Sequence, residues 1–222
     1  MASGGCHLNQ ECKKYKSNCK SCPKLNALNL FDMSHINLIK KKKMFEQFKP
    51  KVFVQNNYVK NYFKSSSVFK NINTKVLFLG ANNNRTKFYS KRDARKVLGF
   101  KTDEKIILFG TFNLASYVKG GHLLKESLKI IESKFMKEKF YNNSLKKVNL
   151  VTIGNTNGFS ADTSKIKWAH LGMVSSDKKL NLLYRSADVL VCPSLYCFGP
   201  HIVTEALIND LPIVAFDLGV AQ

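Results

Sequence analysis

The residues with the clearest chemical potential lie near the end of the chain, where an apolar run is followed by a glycine turn and a carboxylate. The run Val189–Cys192 suits a buried parallel strand, and Gly199 lies in a tight turn after it. Residues 202–208 then form a predicted short helix, with Glu205 about one turn into it. A strand, a glycine turn and a helix N-terminus make an anion site, because free backbone N–H groups and the helix dipole point at the loop. The pattern therefore predicts an anion-binding loop beside a carboxylate that can accept a hydrogen bond from a ligand hydroxyl.

The elements that must position these residues alternate between strands and helices. From residue 105 onward, the pattern predicts strands at 106–109, 148–153, 167–171, 189–192 and 213–216, and helices at 123–135, 178–185 and 202–208. Before residue 105 it predicts helices at 36–48, 58–64 and 91–98, and strands at 51–55 and 76–79. Gly99 is a standard end for the helix at 91–98. Such alternation is typical of an α/β fold with a doubly wound parallel sheet.

Residues 187–222 resemble the nucleotide-sugar site of retaining glycosyltransferases of family 4, which have the GT-B fold. The positions that fit the family pattern are Ala187, Asp188, Pro193, Ser194, Gly199, Glu205, Ala206, Pro212, Asp217 and Gly219. Three positions depart from it. Cys197 replaces the first of the paired glutamates, Asp210 replaces a glycine, and Val220 replaces the second glycine of the terminal pair.

Further segments are similar to the same family. Residues 106–110 followed by 118–124 look like its first strand and its Lys-Gly turn, and residues 153–155, 170–172 and 182–188 match too. The cysteine-rich residues 4–25 resemble a bacterial branch of the family that includes enzymes of exopolysaccharide assembly.

The resemblance also implies a domain organisation, since members have two Rossmann-like domains and bind the donor mainly with the second. By this comparison the chain lacks most of the first domain and also the C-terminal end of the second. We expect residues 1–80 to be the remnant of an acceptor-side domain and residues 81–104 to be a linker. Residues 105–222 would be the truncated nucleotide-sugar-binding domain, a GT-B-like sheet of the doubly wound, Rossmann-like type.

The resemblance implies specific donor-binding roles. Lys119 would contact the donor diphosphate, Glu205 the ribose hydroxyls, and residues 171–174 the base. The arginine that usually assists the lysine is absent here, or is replaced by Thr111 or Asn113. The implied donor-binding set is Gly110, Lys119, Asn155, Leu171, Val174, Cys197, Phe198, Gly199, Pro200 and Glu205. The family's catalytic histidine and its aspartate lie in the first domain, so the catalytic residues of this chain are unknown.

The N-terminal cysteines are candidate metal ligands. Cys19 and Cys22 have the spacing of half a tetrahedral zinc site, whereas the spacing of Cys6 and Cys12 is looser. Disulfides are not expected in a reducing cytoplasm, which leaves structural zinc or free thiols. Transfer by the family requires no cofactor.

The formal net charge of +21 indicates attraction to anions, such as nucleotide diphosphates, anionic membranes or nucleic acid. A lysine-rich composition without functional meaning explains it equally well. The lysines are scattered, with Lys40–Lys43 as the one tight block, so nucleic acid is not the expected partner. Because no run of ~18 apolar residues and no signal peptide occur, we expect a cytoplasmic protein with peripheral contact to an anionic membrane.

Together these features predict a glycosyltransferase. It would move a sugar from a nucleotide diphosphate sugar to a hydroxyl acceptor on a glycan or a lipid-linked glycan, with retention, and the isolated chain would be inactive if truncated. Two alternatives stay open: a basic, zinc-bearing module that binds nucleic acid, and a donor-binding domain without catalysis.

Overall fold

The computed structural model describes residues 2–6, 12–23, 25, 32–78, 80, 89–136, 147–161, 163–199 and 201–219. They divide into two compact units, Met1–Leu79 and Gly80–Gln222. Within these residues, none of the helices has the length and apolar character needed to cross a membrane.

The first unit is a small α/β assembly. Its helices are α1 (Ser34–Phe48) and α2 (Asn57–Ser65), and its strands β1 (Val52–Val54) and β2 (Thr74–Val76) pair in parallel. The Asn56 side chain caps α2 by accepting a hydrogen bond from the backbone N–H of Val59 at 2.9 Å. Leu38, Val68 and Phe69 are buried in its core.

The prediction of a strand at 76–79 is wrong for residues 77 and 78, and Leu79 lies outside the described residues. β2 spans Thr74–Val76 because it pairs with β1 from Val52↔Thr74 onward, and β1 ends at Val54. The backbone N–H of Leu77 still donates to the Val54 carbonyl at 2.8 Å, but no partner strand continues beyond it. Leu77 and Phe78 are accordingly exposed.

The second unit contains a parallel sheet with strand order β5-β4-β3-β6-β7. The strands are β3 (Lys105–Asn113), β4 (Val148–Asn155), β5 (Lys167–His170), β6 (Val189–Cys192) and β7 (Ile213–Ala215). The helices are α3 (Lys91–Leu98), α4 (Gly121–Met136), α5 (Asp177–Ser186) and α6 (His201–Ile208). Following the chain from β3, strands β4 and β5 are added on one side of β3, and β6 and β7 are added on its other side. The strand order therefore reverses between β3 and β6. This is the doubly wound, Rossmann-like topology, and it confirms the predicted fold class.

Helices cover both faces of this sheet. On one face, Leu183 of α5 and Ala206 of α6 pack with Leu108 and Val151 of the central strands. On the other face, Leu124 and Leu128 of α4 pack with Phe109 and Leu150. Successive residues within β3, and within β4, thus point to opposite faces of the sheet, because side chains alternate along a strand.

α3 is tied to the sheet by a polar network. Ser90 caps its N-terminus. Gly99, at φ +76°, ends it, as predicted. The buried Arg95 guanidinium donates to the Ser186 and Thr102 carbonyls and to the Asp188 carboxylate, the last at 2.7 Å. α3 therefore belongs to the second compact unit.

Candidate functional site

An open cleft of about 290 Å³ lies where β3, β4 and β6 end. In doubly wound sheets, ligands bind outside the carboxyl ends of the strands where the strand order reverses. The cleft occupies that place, since it is lined by the last residues of β3 and β4 and by residues at and just after the end of β6. The lining residues are Phe109–Phe112, Lys119, Ile153, Gly154, Met173, Val174, Leu180, Tyr184, Cys192, Ser194, His201, Ile202 and Glu205.

Lys119 supplies a cation to the cleft. It ends a short 3₁₀ helix, Tyr117–Lys119, that follows β3. The loop after β6 is held against this turn, because the backbone N–H of Leu195 donates to the Val118 carbonyl at 2.9 Å. The Lys119 ammonium lies 4.0 Å from Cys197 Sγ, so the turn and the loop after β6 form one side of the site.

Gly120 makes this arrangement possible. Its φ is +72°, which L side chains rarely adopt, and a Cβ at this position would overlap the carbonyl oxygen of Pro193. Both residues of the Lys-Gly dipeptide therefore contribute to this arrangement. The lysine carries the charge, and the glycine lets the chain turn against the loop after β6.

Glu205 supplies a carboxylate to the cleft. It is half-buried on α6, and its Oε2 accepts a hydrogen bond from the Tyr184 hydroxyl at 2.6 Å. Burial, followed by this hydrogen bond, raises the pKa of Tyr184 above its usual value. The phenol therefore stays protonated at neutral pH and acts as a permanent donor to the carboxylate.

The structure brings together part of the predicted donor-binding set. Gly110, Lys119, Val174 and Glu205 line the cleft, and Cys197 contacts Lys119. The other described members do not line it.

Those members have other surroundings. The Asn155 carbonyl accepts from the Leu114 backbone at 2.9 Å, and Leu171 packs against the core. Phe198 and Gly199 belong to the loop after β6, and Pro200 lies outside the described residues.

The two proposed substitutes for the missing arginine differ in the structure. Thr111 lines the cleft. Asn113 instead turns its side-chain carbonyl to the backbone N–H of Ala115 at 2.9 Å, which stabilises the turn after β3. Of the two, Thr111 is placed to meet a ligand.

Sequence reasoning gave no donor-binding role to the side chains of several lining residues, among them Tyr184 and His201. Tyr184 lies within residues 182–188, which the family resemblance covers. The helical spacing there predicts only that this aromatic side chain packs in the core. His201 is the first residue of α6, a position at which an exposed side chain faces the mouth of the cleft.

The four N-terminal cysteines lie within the first unit. Cys19 is buried and its Sγ accepts from the Gly4 backbone N–H at 3.4 Å. Burial, and the neighbouring thiols of Cys6, Cys12 and Cys22, raise the pKa of Cys19. Within the described residues, no three histidine, cysteine or acidic side chains are grouped closely enough to hold a metal ion. Zinc binding by these cysteines therefore stays a prediction, and it requires their side chains to move closer together than they are in this structure.

The family called glycosyl transferases group 1 matches residues 90–222, which is more than half of the chain and includes the whole cleft. The chain therefore belongs to this family. No curated protein matches the chain.

Several solved structures share the fold. Sucrose-phosphate synthase from Thermosynechococcus elongatus matches with a TM-score of 0.60 at 20% identity, over 84% of this chain and 45% of its own. HepE from Anabaena, solved with UDP and glucose, matches at 0.58 and 17% identity, over 84% and 49%. A glycosyltransferase from Rickettsia africae matches at 0.57 and 17% identity, over 81% and 48%. The chain spans about half the length of each of these proteins.

Proposed function

We propose that this chain binds the nucleotide sugar donor of a retaining, family 4 glycosyltransferase. The reaction moves a hexosyl group from a nucleotide diphosphate sugar to a hydroxyl acceptor in polysaccharide or glycan assembly. The observation that carries the proposal is the cleft at the switch point of the sheet, whose lining includes both Lys119 and Glu205. HepE, which shares the fold, was solved with UDP and with UDP-glucose.

The two charged groups suit two parts of a nucleoside diphosphate, the diphosphate and the ribose. An ammonium group attracts phosphate oxygens as a point charge, and it stabilises the negative charge that develops on the leaving diphosphate. A carboxylate accepts hydrogen bonds from the ribose hydroxyls. The resemblance to family 4 supplies the retaining outcome and the link to exopolysaccharide assembly, and it makes a glycan or lipid-linked glycan at the membrane surface the proposed acceptor.

The nucleic-acid alternative has weak support. Lys40–Lys43 is the one tight lysine block, and the side chain of Lys41 donates to the Ser3 carbonyl at 2.7 Å. Lys42 approaches Glu46 at 3.9 Å. Two of these lysines thus have partners within the first unit, whereas Lys119 lines the cleft of the second.

Donor binding is tested by titration calorimetry with UDP, GDP and ADP on the 222-residue chain. Lys119→Ala should weaken the affinity for the preferred diphosphate by about 1–3 kcal/mol, the scale of a charge-assisted contact. Lys129→Ala is the matched control, because Lys129 is an exposed residue of α4 that does not line the cleft. Equal affinity in wild type and Lys119→Ala, or no binding of any of the three by the wild type, would contradict the proposal.

Transfer itself is tested with nucleotide sugars and glycan or lipid-linked acceptors, and if the chain is truncated as the family resemblance implies, it should bind the donor but transfer no sugar by itself. The measurement is release of the nucleoside diphosphate, with the anomeric configuration of the product read by NMR. Inversion at the anomeric carbon would overturn the retaining assignment and leave donor binding intact.

A further inference from the structure

Tyr184 connects the core of the second unit with the cleft. Its side chain is fully buried, with 2% of its surface exposed, in the cluster that includes Leu108, Val151 and Leu190. Its hydroxyl nevertheless reaches the cleft, where it donates to Glu205 Oε2 at 2.6 Å. An aromatic ring held on all sides by the core gives the hydroxyl a fixed position.

This fixed donor restricts the Glu205 carboxylate. A glutamate side chain on a helix has several rotamers, and ordering it costs conformational entropy. The bond to Tyr184 selects one orientation before any ligand arrives. The hydrogen bond from Tyr184 uses Oε2 of Glu205. Oε1 receives no hydrogen bond from the residues that the structure describes, so it can accept one from a ligand in the cleft.

We propose that Tyr184 is a positioning residue that presents Glu205 Oε1 to the ribose of the donor, so that the cleft selects ribonucleotides over 2′-deoxyribonucleotides. The inference rests on the proposed function, because it names a supporting residue of the same donor site. A site built to accept from a hydroxyl group rejects an analogue without it, since the acceptor then loses its partner in a partly desolvated place. An acceptor held in one orientation makes this rejection sharper than a mobile one.

The test compares Tyr184→Phe with Tyr15→Phe. Both substitutions remove one hydroxyl from a buried tyrosine, and the hydroxyl of Tyr15 bonds Ser65 in the first unit. The affinity of each variant is measured by calorimetry for whichever of UDP, GDP and ADP the wild type prefers, for its 2′-deoxy counterpart, and for pyrophosphate.

Tyr184→Phe should weaken the ribonucleotide about threefold to tenfold and leave the deoxynucleotide and pyrophosphate nearly unchanged, so that the ribose preference shrinks. Tyr15→Phe should keep the full preference. A merely structural role for Tyr184 would instead weaken all three ligands together, and circular dichroism with thermal unfolding checks that the variants are folded.

A double-mutant cycle with Glu205→Gln separates action through Glu205 from any other action. If Tyr184 acts through the carboxylate, Tyr184→Phe should have no further effect on ribose preference in the Glu205→Gln background. In the Glu205→Gln background no carboxylate is left without its Tyr184 donor. The double variant can therefore be compared with Glu205→Gln even if Tyr184→Phe alone is unstable.

The outcomes distinguish the two proposals. Failure of the wild type to bind any of the three diphosphates overturns the proposed function and this inference with it. A wild type that binds and prefers ribonucleotides, with the preference unchanged in Tyr184→Phe or altered equally in both backgrounds, overturns the role of Tyr184 alone.

Discussion

Gly120 is the residue that decides where the Lys119 ammonium lies. The turn after β3 must meet the loop after β6, and the φ of +72° at Gly120 together with its contact to the Pro193 carbonyl leaves no room for a side chain. The position of the ammonium group that would bind a diphosphate thus depends on the neighbouring residue, Gly120, which has no side chain.

We predict that Gly120→Ala lowers the free energy of unfolding by about 2–4 kcal/mol, since it adds backbone strain and an overlap with main-chain atoms. It should also weaken nucleoside diphosphate binding, because the turn that carries Lys119 must move. Chemical denaturation and calorimetry measure the two effects.

Gly158→Ala is the matched control for this prediction. Gly158 also has a positive φ, +86°, but a Cβ there would meet no atom within 4 Å. It should therefore cost about 1–2 kcal/mol of strain and leave ligand binding unchanged. Equal effects of the two substitutions would show that contact with the loop after β6 is unimportant.

At the level of elements, Asp188 joins three parts of the second unit. It lies between α5 and β6, its carboxylate accepts from Arg95 and Lys91 of α3 at 2.7 Å each, and it also accepts from the Ile106 backbone of β3 at 2.7 Å. Burial alone would raise the pKa of Asp188. The hydrogen bonds from Lys91 and Ile106 and the charges of Lys91 and Arg95 outweigh it, so the pKa of Asp188 is lowered.

We predict that Asp188→Asn lowers the free energy of unfolding by about 2 kcal/mol at pH 7, because the buried Arg95 guanidinium loses its counter-ion. A carboxyl group whose pKa is lower in the folded state stabilises that state above its unfolded pKa, near 4. The stabilisation is lost as the pH falls through the folded pKa. The difference between wild type and variant should therefore be constant above about pH 5 and shrink below about pH 4.

Asp103→Asn is the control for the element scale. Asp103 pairs with Lys147 at 2.9 Å, but both side chains are more than half exposed, so solvent screens the pair. Denaturation of this variant across the same pH range should differ little from wild type. A pH-independent loss in Asp188→Asn would show that its effect comes from packing and not from charge.

At the scale of the whole molecule, the two compact units carry different chemistry. The cleft and the residues matched by the family lie in the second unit, and the first unit holds Cys6, Cys12, Cys19 and Cys22. These thiols act on the pKa of Cys19 and so lie within electrostatic reach of it, although the described side chains form no ready metal site.

We predict that the chain, purified anaerobically with a reductant, carries about one equivalent of zinc, because four thiols can complete a tetrahedral site on closing. Cys19→Ser with Cys22→Ser should abolish the zinc content, whereas Cys197→Ser should retain it. Elemental analysis gives the count, and hydrogen exchange before and after chelation shows whether the first unit loosens. Metal-free wild-type protein would leave the four cysteines as free thiols.

The sequence by itself determined most of the secondary structure of the second unit and the fold class. Its strands and helices follow local rules: apolar runs for buried strands, helical spacing of apolar residues, and Gly99 as a helix end. The same local reasoning, together with the family resemblance, selected Lys119 and Glu205, which the fold brings to one cleft.

The tertiary structure alone decided which residues meet. Lys119 and Cys197 are 78 positions apart, and Tyr184 and Glu205 are 21 apart, so no pattern within one element could pair them. β2 was misplaced for the same reason, because the end of its partner β1 fixed its boundary and its own apolar run did not. Propensity and periodicity act over a few neighbouring residues, whereas strand order, the cleft between β3 and β6, and the buried tyrosine that reaches it depend on how distant elements pack.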